Sequence, residues 1–244
     1  MPHLPIHIGT SGWVYDDWQG RFYPEDVKGS DRLTFYAQQF DTVEVNATFY
    51  RLPTQNMINA WNRRLGPDFH LVLKGSRLIT HLKKLRDCRE PLQTFLDRAL
   101  ELRTLKVILW QLPPSLHQDL PLLDDFLALL PGSVRHAVEF RHGSWWDEQV
   151  AETLARHQAA FVAVSTWGGL PEEIIPTTDL LYLRFHGPAD LVYQYDYPNE
   201  ELAAWAGRVK PHLAGRTLYA FFNNDYHAHA PHNAATFRGL LAAD

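Results

Sequence analysis

The chain has 244 residues, 45% of them hydrophobic, with a single cysteine and a formal net charge of −5 at pH 7. That length suits one large domain or two small ones, and a lone Cys88 excludes both a disulfide framework and a thiolate metal cage. No run is apolar for long enough to cross a bilayer, so no membrane partner is expected, and the negative balance argues against a broad basic face that coats nucleic acid.

In chain order, "MPHLPIHIGTSGW" has no basic region followed by an apolar stretch, which sets the expectation of a cytoplasmic protein without a secretion signal. A first strand is predicted at 6–11 and a helix at 31–40. The second strand, 42–47, falls in "VEVNATFYR", where Thr42, Glu44, Asn46 and Thr48 share one face and Val43, Val45 and Ala47 the other. Strands follow at 69–74, 105–112, 135–140, 160–165, 180–186 and 217–223, alternating with helical patterns at 55–65, 91–102, 121–130, 146–157, 199–213 and 232–241. After the sixth strand, "TWGGLPEEIIPTTD" is too short and too rich in proline and glycine for a full helix. The alternation implies parallel pairing through helical crossovers. Eight strands in a chain of this size predict an α/β fold of the (β/α)8 TIM-barrel type, one domain over 1–244. The alternative, an open doubly wound sheet, usually carries a glycine-rich nucleotide turn, and "GTSGW" has neither the dinucleotide spacing nor a phosphate-loop lysine.

In a parallel barrel the outward face of a strand meets helices, so polar residues should share the inward parity. They largely do: Glu44 with Asn46, His70 with Lys74, Glu139 with Arg141 and Arg184 with His186, while Gln111 and Asn223 alternate with apolar neighbours. Most lie near the C-terminal strand ends, where barrel active sites are built.

With those strand ends in view, "IGTSGWVYDDWQGRFYP", "FDTVEVNATFYRLP", "KGSRLITH", "QLPPS", "VEFRHGSWW", "YLRFHG" and "AFFNND…HNAATFRGLL" resemble, in order, the domain-of-unknown-function 72 (YecE-like) family. The resemblance implies a TIM-type barrel in a bacterial or archaeal cytoplasmic protein and delivers no reaction. The family pattern often closes the sixth strand with an acidic residue, where this chain has Ser165 and Thr166, and His227 and His229 stand near positions that are often glycine or apolar.

Glu44 and Glu139 read as a general acid/base pair, or as one half of an ion-pair net with Arg141 and Arg184. Lys74, Arg77, Arg141 and Arg184 read as a cup for an anion, or as internal counter-ions. Lys74 could serve as an imine-forming lysine, but nothing in the local sequence marks it out. His186 is a candidate proton partner, whereas His81, several residues beyond its strand, reads better as structural. Trp13, Tyr15, Trp18, Phe49, Tyr50, Trp145 and Trp146 surround the predicted rim as ring platforms or as a hydrophobic lid. Glu44, Glu139 and His186 have the chemistry of a carboxylate–histidine metal site, yet a two-metal centre wants more ligands. No metal or other cofactor is therefore assigned, and His227, His229 and His232 read as a solvated or opportunistic metal-binding loop.

The expected function is an enzyme acting on a small anionic, phosphorylated or sugar-like, substrate. Glu44 or Glu139 would be the general base and His186 its partner. Arg141, Arg184 and Lys74 would hold the negative group; Asn46, Gln111 and Asn223 would orient hydroxyls or carbonyls, with Trp13 and Tyr50 as ring platforms. The alternatives are a nucleic-acid-processing barrel of the apurinic endonuclease type, using the basic segment "HLKKLRDCR" at 81–89, and a non-catalytic ligand-binding barrel. If the carboxylates serve a pocket that water reaches, Glu44→Gln and Glu139→Gln should leave stability unchanged or raise it.

Overall fold

Aliphatic and β-branched residues at the outward positions give every predicted strand a face to bury, and all eight strands form. The computed structural model describes residues 6–165, 169–188 and 190–243. Its strands are β1 (Ile6–Thr10), β2 (Thr42–Val45), β3 (His70–Lys74), β4 (Leu105–Gln111), β5 (Arg135–Glu139), β6 (Ala159–Ser165), β7 (Leu180–Phe185) and β8 (Thr217–Phe222). The order around the sheet is β1-β8-β7-β6-β5-β4-β3-β2. β1 runs parallel to β8 from Ile6 opposite Leu218 to Thr10 opposite Phe222. First and last strands are therefore neighbours, as a barrel demands and an open doubly wound sheet does not. The chain is a single-domain α/β protein with eight parallel strands in a nearly closed, TIM-like barrel.

The helices are α1 (Arg32–Gln39), α2 (Ala47–Tyr50), α3 (Gln55–Arg64), α4 (Arg89–Ala99), α5 (Leu120–Leu127), α6 (Glu148–Arg156), α7 (Asn199–Val209) and α8 (His229–Ala242). Local sequence starts several of them. Thr54 accepts from the Met57 amide at 3.3 Å, Asp119 from Leu122 at 3.2 Å and Asp147 from Gln149 at 2.9 Å. Each cap satisfies an amide that has no partner inside its helix. Among the described residues, no helix is long and apolar enough to cross a membrane.

One predicted strand is shorter than expected. β2 ends at Val45, and the chain turns at Asn46 into α2, so Thr48 leaves the face of Glu44. The Thr48 hydroxyl lies 2.9 Å from the Val45 carbonyl and 2.7 Å from that of Lys74. A threonine that bonds nearby backbone offers the chain an alternative to the ladder, and here the alternative wins.

The barrel closes between β1 and β2 by side chains. A Cβ on Gly9 would sit 2.3 Å from the Thr42 carbonyl oxygen, so only glycine lets the two strands come this close. Tyr36 of α1 places its hydroxyl in the seam, accepting from the Thr10 amide at 2.9 Å and donating to the Thr42 carbonyl at 3.1 Å. Inside, Val72, Val107, Leu109, Ala137, Val162, Tyr182 and Phe221 belong to an apolar plug. Beneath it, at the N-terminal end, His7 lies against His70 with ring centroids 3.8 Å apart and planes tilted by 36°. What lies above it is polar.

Candidate functional site

Arg184, near the end of β7, spans the barrel just above the plug. Its Nη2 donates to Glu44 Oε1 and its Nη1 to Glu139 Oε2, both at 2.6 Å. Glu44 also accepts from the Tyr182 hydroxyl at 2.5 Å and from the Ser11 hydroxyl at 2.8 Å. Glu139 accepts from Arg141 Nε as well. Burial works against charging Glu139, but Arg141 and Arg184 more than offset it and hold its carboxyl well below the usual range. Arg184 shows the same balance in reverse: desolvation would lower its pKa, yet Glu44 and Glu139 raise it. Arg141 gains less from its pair, since burial and the facing Arg184 both disfavour its charge.

This arrangement corrects one expectation. Glu44 and Glu139 are both 0% exposed, so water does not reach them as the sequence reading assumed. Parity places a side chain inside a barrel without giving its depth. Glu44 lies in register with Val72 and Arg184 with Phe221, and both of those neighbours belong to the plug.

The mouth lies one level higher. Arg141 Nη2 is 2.9 Å from His186 Nε2, and because a guanidinium can only donate, that nitrogen accepts. His186 Nδ1 is 3.1 Å from the Asn223 amide, which in turn lies 3.4 Å from Asn46. Burial, then Arg141 and Arg184, push the His186 pKa down to about 3, so the ring is neutral. Lys74, half-buried at the end of β3, points its Nζ at the Phe49 ring, 4.4 Å from the centroid. Among the described residues its ammonium has no carboxylate or hydrogen-bond partner. Desolvation, then Arg184, bring its pKa down to about 7 against the opposing pull of Glu139 and Glu44. Gln111 reaches His81 Nε2 at 3.5 Å, and burial keeps His81 neutral with a pKa of about 4.

From residue 7 to residue 244 the sequence matches the family described as "Protein of unknown function DUF72". The chain belongs to the DUF72 family. Among relatives, the UPF0759 protein YecE of Escherichia coli strain K12 is 33% identical over 154 residues, 62% of this chain and 54% of YecE. This DUF72 chain thus spans about half the length of that curated relative. The UPF0759 protein YunF of Bacillus subtilis strain 168 is 23% identical across 97% of this chain and 94% of its own length. A crystal structure of a DUF72 family protein from Thermotoga maritima MSB8 superposes with a TM-score of 0.89 at 32% identity, covering 98% of this chain and 100% of that one. The resemblance read from the strand-end motifs holds. A DUF72 match carries no reaction with it, so function rests on the site.

The DUF72 barrel gathers Glu44, Glu139, Arg141, Arg184, His186, Asn223 and Asn46 into one bonded chain, with Lys74 and Gln111 on the same rim. The aromatic residues scatter. Trp13 meets Trp61 edge-on at 5.9 Å and lines, with Tyr15, Asn46 and Arg51, a cleft of about 370 Å³ beside the mouth. Tyr50 is 76% exposed and packs on Phe49 at 5.0 Å. Trp18 and Trp145 are core residues, not rim platforms: both are 0% exposed, and Trp145 stacks on Phe140 at 4.6 Å.

Sequence reasoning missed Ser11, Tyr182 and Asp225. Ser11 and Tyr182 were legible only as inward parity. Asp225 lies three residues past β8, where parity says nothing. Trp18 donates its indole N–H to the Asp225 carbonyl at 2.7 Å, and the carboxyl oxygen Oδ1 is buried without a partner among the described residues. Burial, with Asp17 and Glu44 adding to it, raises the Asp225 pKa well above the ordinary value, while a hydrogen bond with Tyr15 opposes the shift.

Among the described residues, no group of three or more His, Cys, Asp or Glu is placed to hold a metal ion. His227 is exposed, and His229 lies 3.5 Å from Asp196. In the basic segment, Arg86 pairs with Asp119 at 2.9 Å and Lys84 reaches the Ser115 carbonyl at 3.5 Å. Thr166, noted for its departure from the family pattern, lies outside the described residues, as do residues 1–5. Ser165 points outward, 2.6 Å from the Tyr197 hydroxyl.

Proposed function

We propose that the protein is an enzyme acting by general acid/base chemistry on a small anionic, phosphorylated or sugar-like, substrate at the C-terminal mouth of its barrel. The observation that carries this reading is Lys74, a half-buried cation without a counter-ion among the described residues. Burial works against a charge on Asp225, and the two carboxylates Glu44 and Glu139 face three basic groups, Arg141, Arg184 and Lys74, in a poorly solvated place. An anion entering there meets a field that water screens weakly.

In this reading Lys74 and Arg141 hold the negative group, and Asn46, Gln111 and Asn223 orient hydroxyls or carbonyls. A pKa of about 7 suits Lys74 to proton transfer at neutral pH, and the raised pKa of Asp225 suits it to give a proton. Glu44 and Glu139 act as fixed counter-charges beneath the substrate, and His186 positions Arg141. Trp13 supplies an apolar wall beside the anion, with Tyr50 farther out. The nucleic-acid reading has less support, because Arg86 and Lys84 of the basic segment are already engaged on the protein.

The test is thermal melting of the parent and Lys74→Met with inorganic phosphate and with phosphorylated sugars. A ligand bound only by the native state raises the melting temperature with occupancy. The parent should respond and the variant should lose most of that response. No response of the parent to any of these anions would remove the reading.

A further inference from the structure

We infer that Lys74 is a nucleophile whose amine forms an imine with a small carbonyl compound bearing a negative group, such as a 2-oxo acid or a phosphorylated aldehyde. This rests on the anion-site reading above and narrows its substrate class to carbonyl compounds, with Arg141 holding the negative group while the uncharged fraction of Lys74 attacks the carbonyl.

An exposed lysine is protonated and hydrated at neutral pH, so it does not attack carbonyls. Three features of this position change that. The Phe49 face, 4.4 Å from Nζ, displaces water that would solvate the ammonium, and its own attraction for a cation is weaker than the hydration lost. Glu44 and Glu139 are near, yet their oxygens already accept from Arg184, Arg141, Tyr182 and Ser11, so neither is drawn into a pair with Lys74. Arg184 and Arg141 add repulsion to any further positive charge. The free amine that results is the usual route by which a desolvated lysine beside other cations becomes a nucleophile. His81, whose ring meets the same Phe49 edge-on at 4.9 Å, is neutral and adds no charge.

The chemistry balances without an oxidant or reductant. The amine lone pair attacks the carbonyl carbon, and the C=O π pair moves to oxygen, which takes up a proton as nitrogen gives one up. The carbinolamine then expels that oxygen as water while nitrogen closes the C=N bond. One amine and one carbonyl become one imine and one water. Once protonated, the imine draws electrons from the adjacent carbon, which supports cleavage of C–H or C–C bonds there.

The experiment treats the full chain with pyruvate or glyceraldehyde 3-phosphate, then sodium borohydride, and maps the reduced adduct by mass spectrometry. The expected result is one borohydride-dependent adduct on the peptide carrying Lys74, formed with a pH midpoint near 7 and absent from Lys74→Arg. Exposed lysines such as Lys28 should carry little adduct at pH 7. Adducts on Lys28, Lys83 and Lys84 at pH 7, with Lys74 unmodified, would overturn the inference. Inorganic phosphate, which has no carbonyl, separates the two claims. If phosphate raises the melting temperature but no Lys74 adduct forms, the imine fails and the anion site stands. If phosphate neither stabilises the protein nor slows labelling of Lys74, the anion-site reading fails with it.

Discussion

Glu139 and Lys74 belong to one polar cluster, yet removing their charges should move stability in opposite directions. Glu139 is wholly buried between two guanidiniums. Glu139→Gln leaves them short of an anion, and losing one partner of a buried pair typically costs about 3–5 kcal/mol. Urea melts at pH 7 should show that loss, with little change in the exposed control Glu200→Gln. Lys74→Met should do the reverse. A lysine whose pKa falls on folding binds fewer protons folded than unfolded between about 7 and its ordinary 10.5. The fold therefore gains stability as pH rises through that window, and carries the full cost of the buried charge below it. Replacing Lys74 should raise the melting temperature at pH 7, and the advantage should shrink toward pH 10. Period-2 alternation made the inward parity of both residues legible. It could not reveal that Glu44 and Glu139 are wholly buried while Lys74 is half-buried, because depth depends on how neighbouring strands are staggered.

At the scale of elements, strand and helix positions were legible because apolar and polar residues alternate with the period of each element. Asp119 and Asp147 cap helices close to the starts predicted at 121 and 146. The seam between β1 and β2 was not legible, because its closing contact joins Thr10 to Tyr36, a helix residue 26 positions away. Tyr36→Phe removes a hydroxyl that serves a buried amide and a carbonyl at once. Leaving such groups unsatisfied costs about 1–3 kcal/mol, and chemical denaturation should read that loss. Gly9→Ala should cost more, since its methyl would meet the Thr42 carbonyl backbone, which cannot swing aside as a flexible side chain would. Amide exchange in β1 and β2 should quicken in both variants before it does in β5.

For the molecule as a whole, four histidines among the described residues are held neutral by burial: His186 near pKa 3, and His70, His81 and His136 near 4. Their ordinary value is about 6.5. Each contributes stability that is present above 6.5 and lost as pH falls toward its folded value, because the unfolded chain takes up the proton first. The melting temperature should therefore fall steadily between pH 6.5 and 4, before Glu139 adds its own loss below 4.5. Asp225 works the other way, its raised pKa returning some stability to the acid side. His136→Asn should flatten the slope. A melting temperature constant over this range would show that these rings are protonated in the fold.

The pairing of β1 has a consequence for synthesis. Its ladder partner is β8, which begins at Thr217, so about 210 residues separate the two halves of that ladder. At about 5–20 residues per second, a ribosome needs on the order of 10–40 s to cross that interval. Throughout it β1 has no strand to bond, and an unpaired strand edge invites pairing with other nascent chains. The sequence of β1, IHIGT, carries a histidine and a glycine among its five residues. The glycine weakens it as a free-standing strand, and the two residues serve the seam and the ring contact that it later joins. A segment that must wait the longest is thus poorly suited to pairing with strangers, and finds its own partner only when the last strand leaves the tunnel.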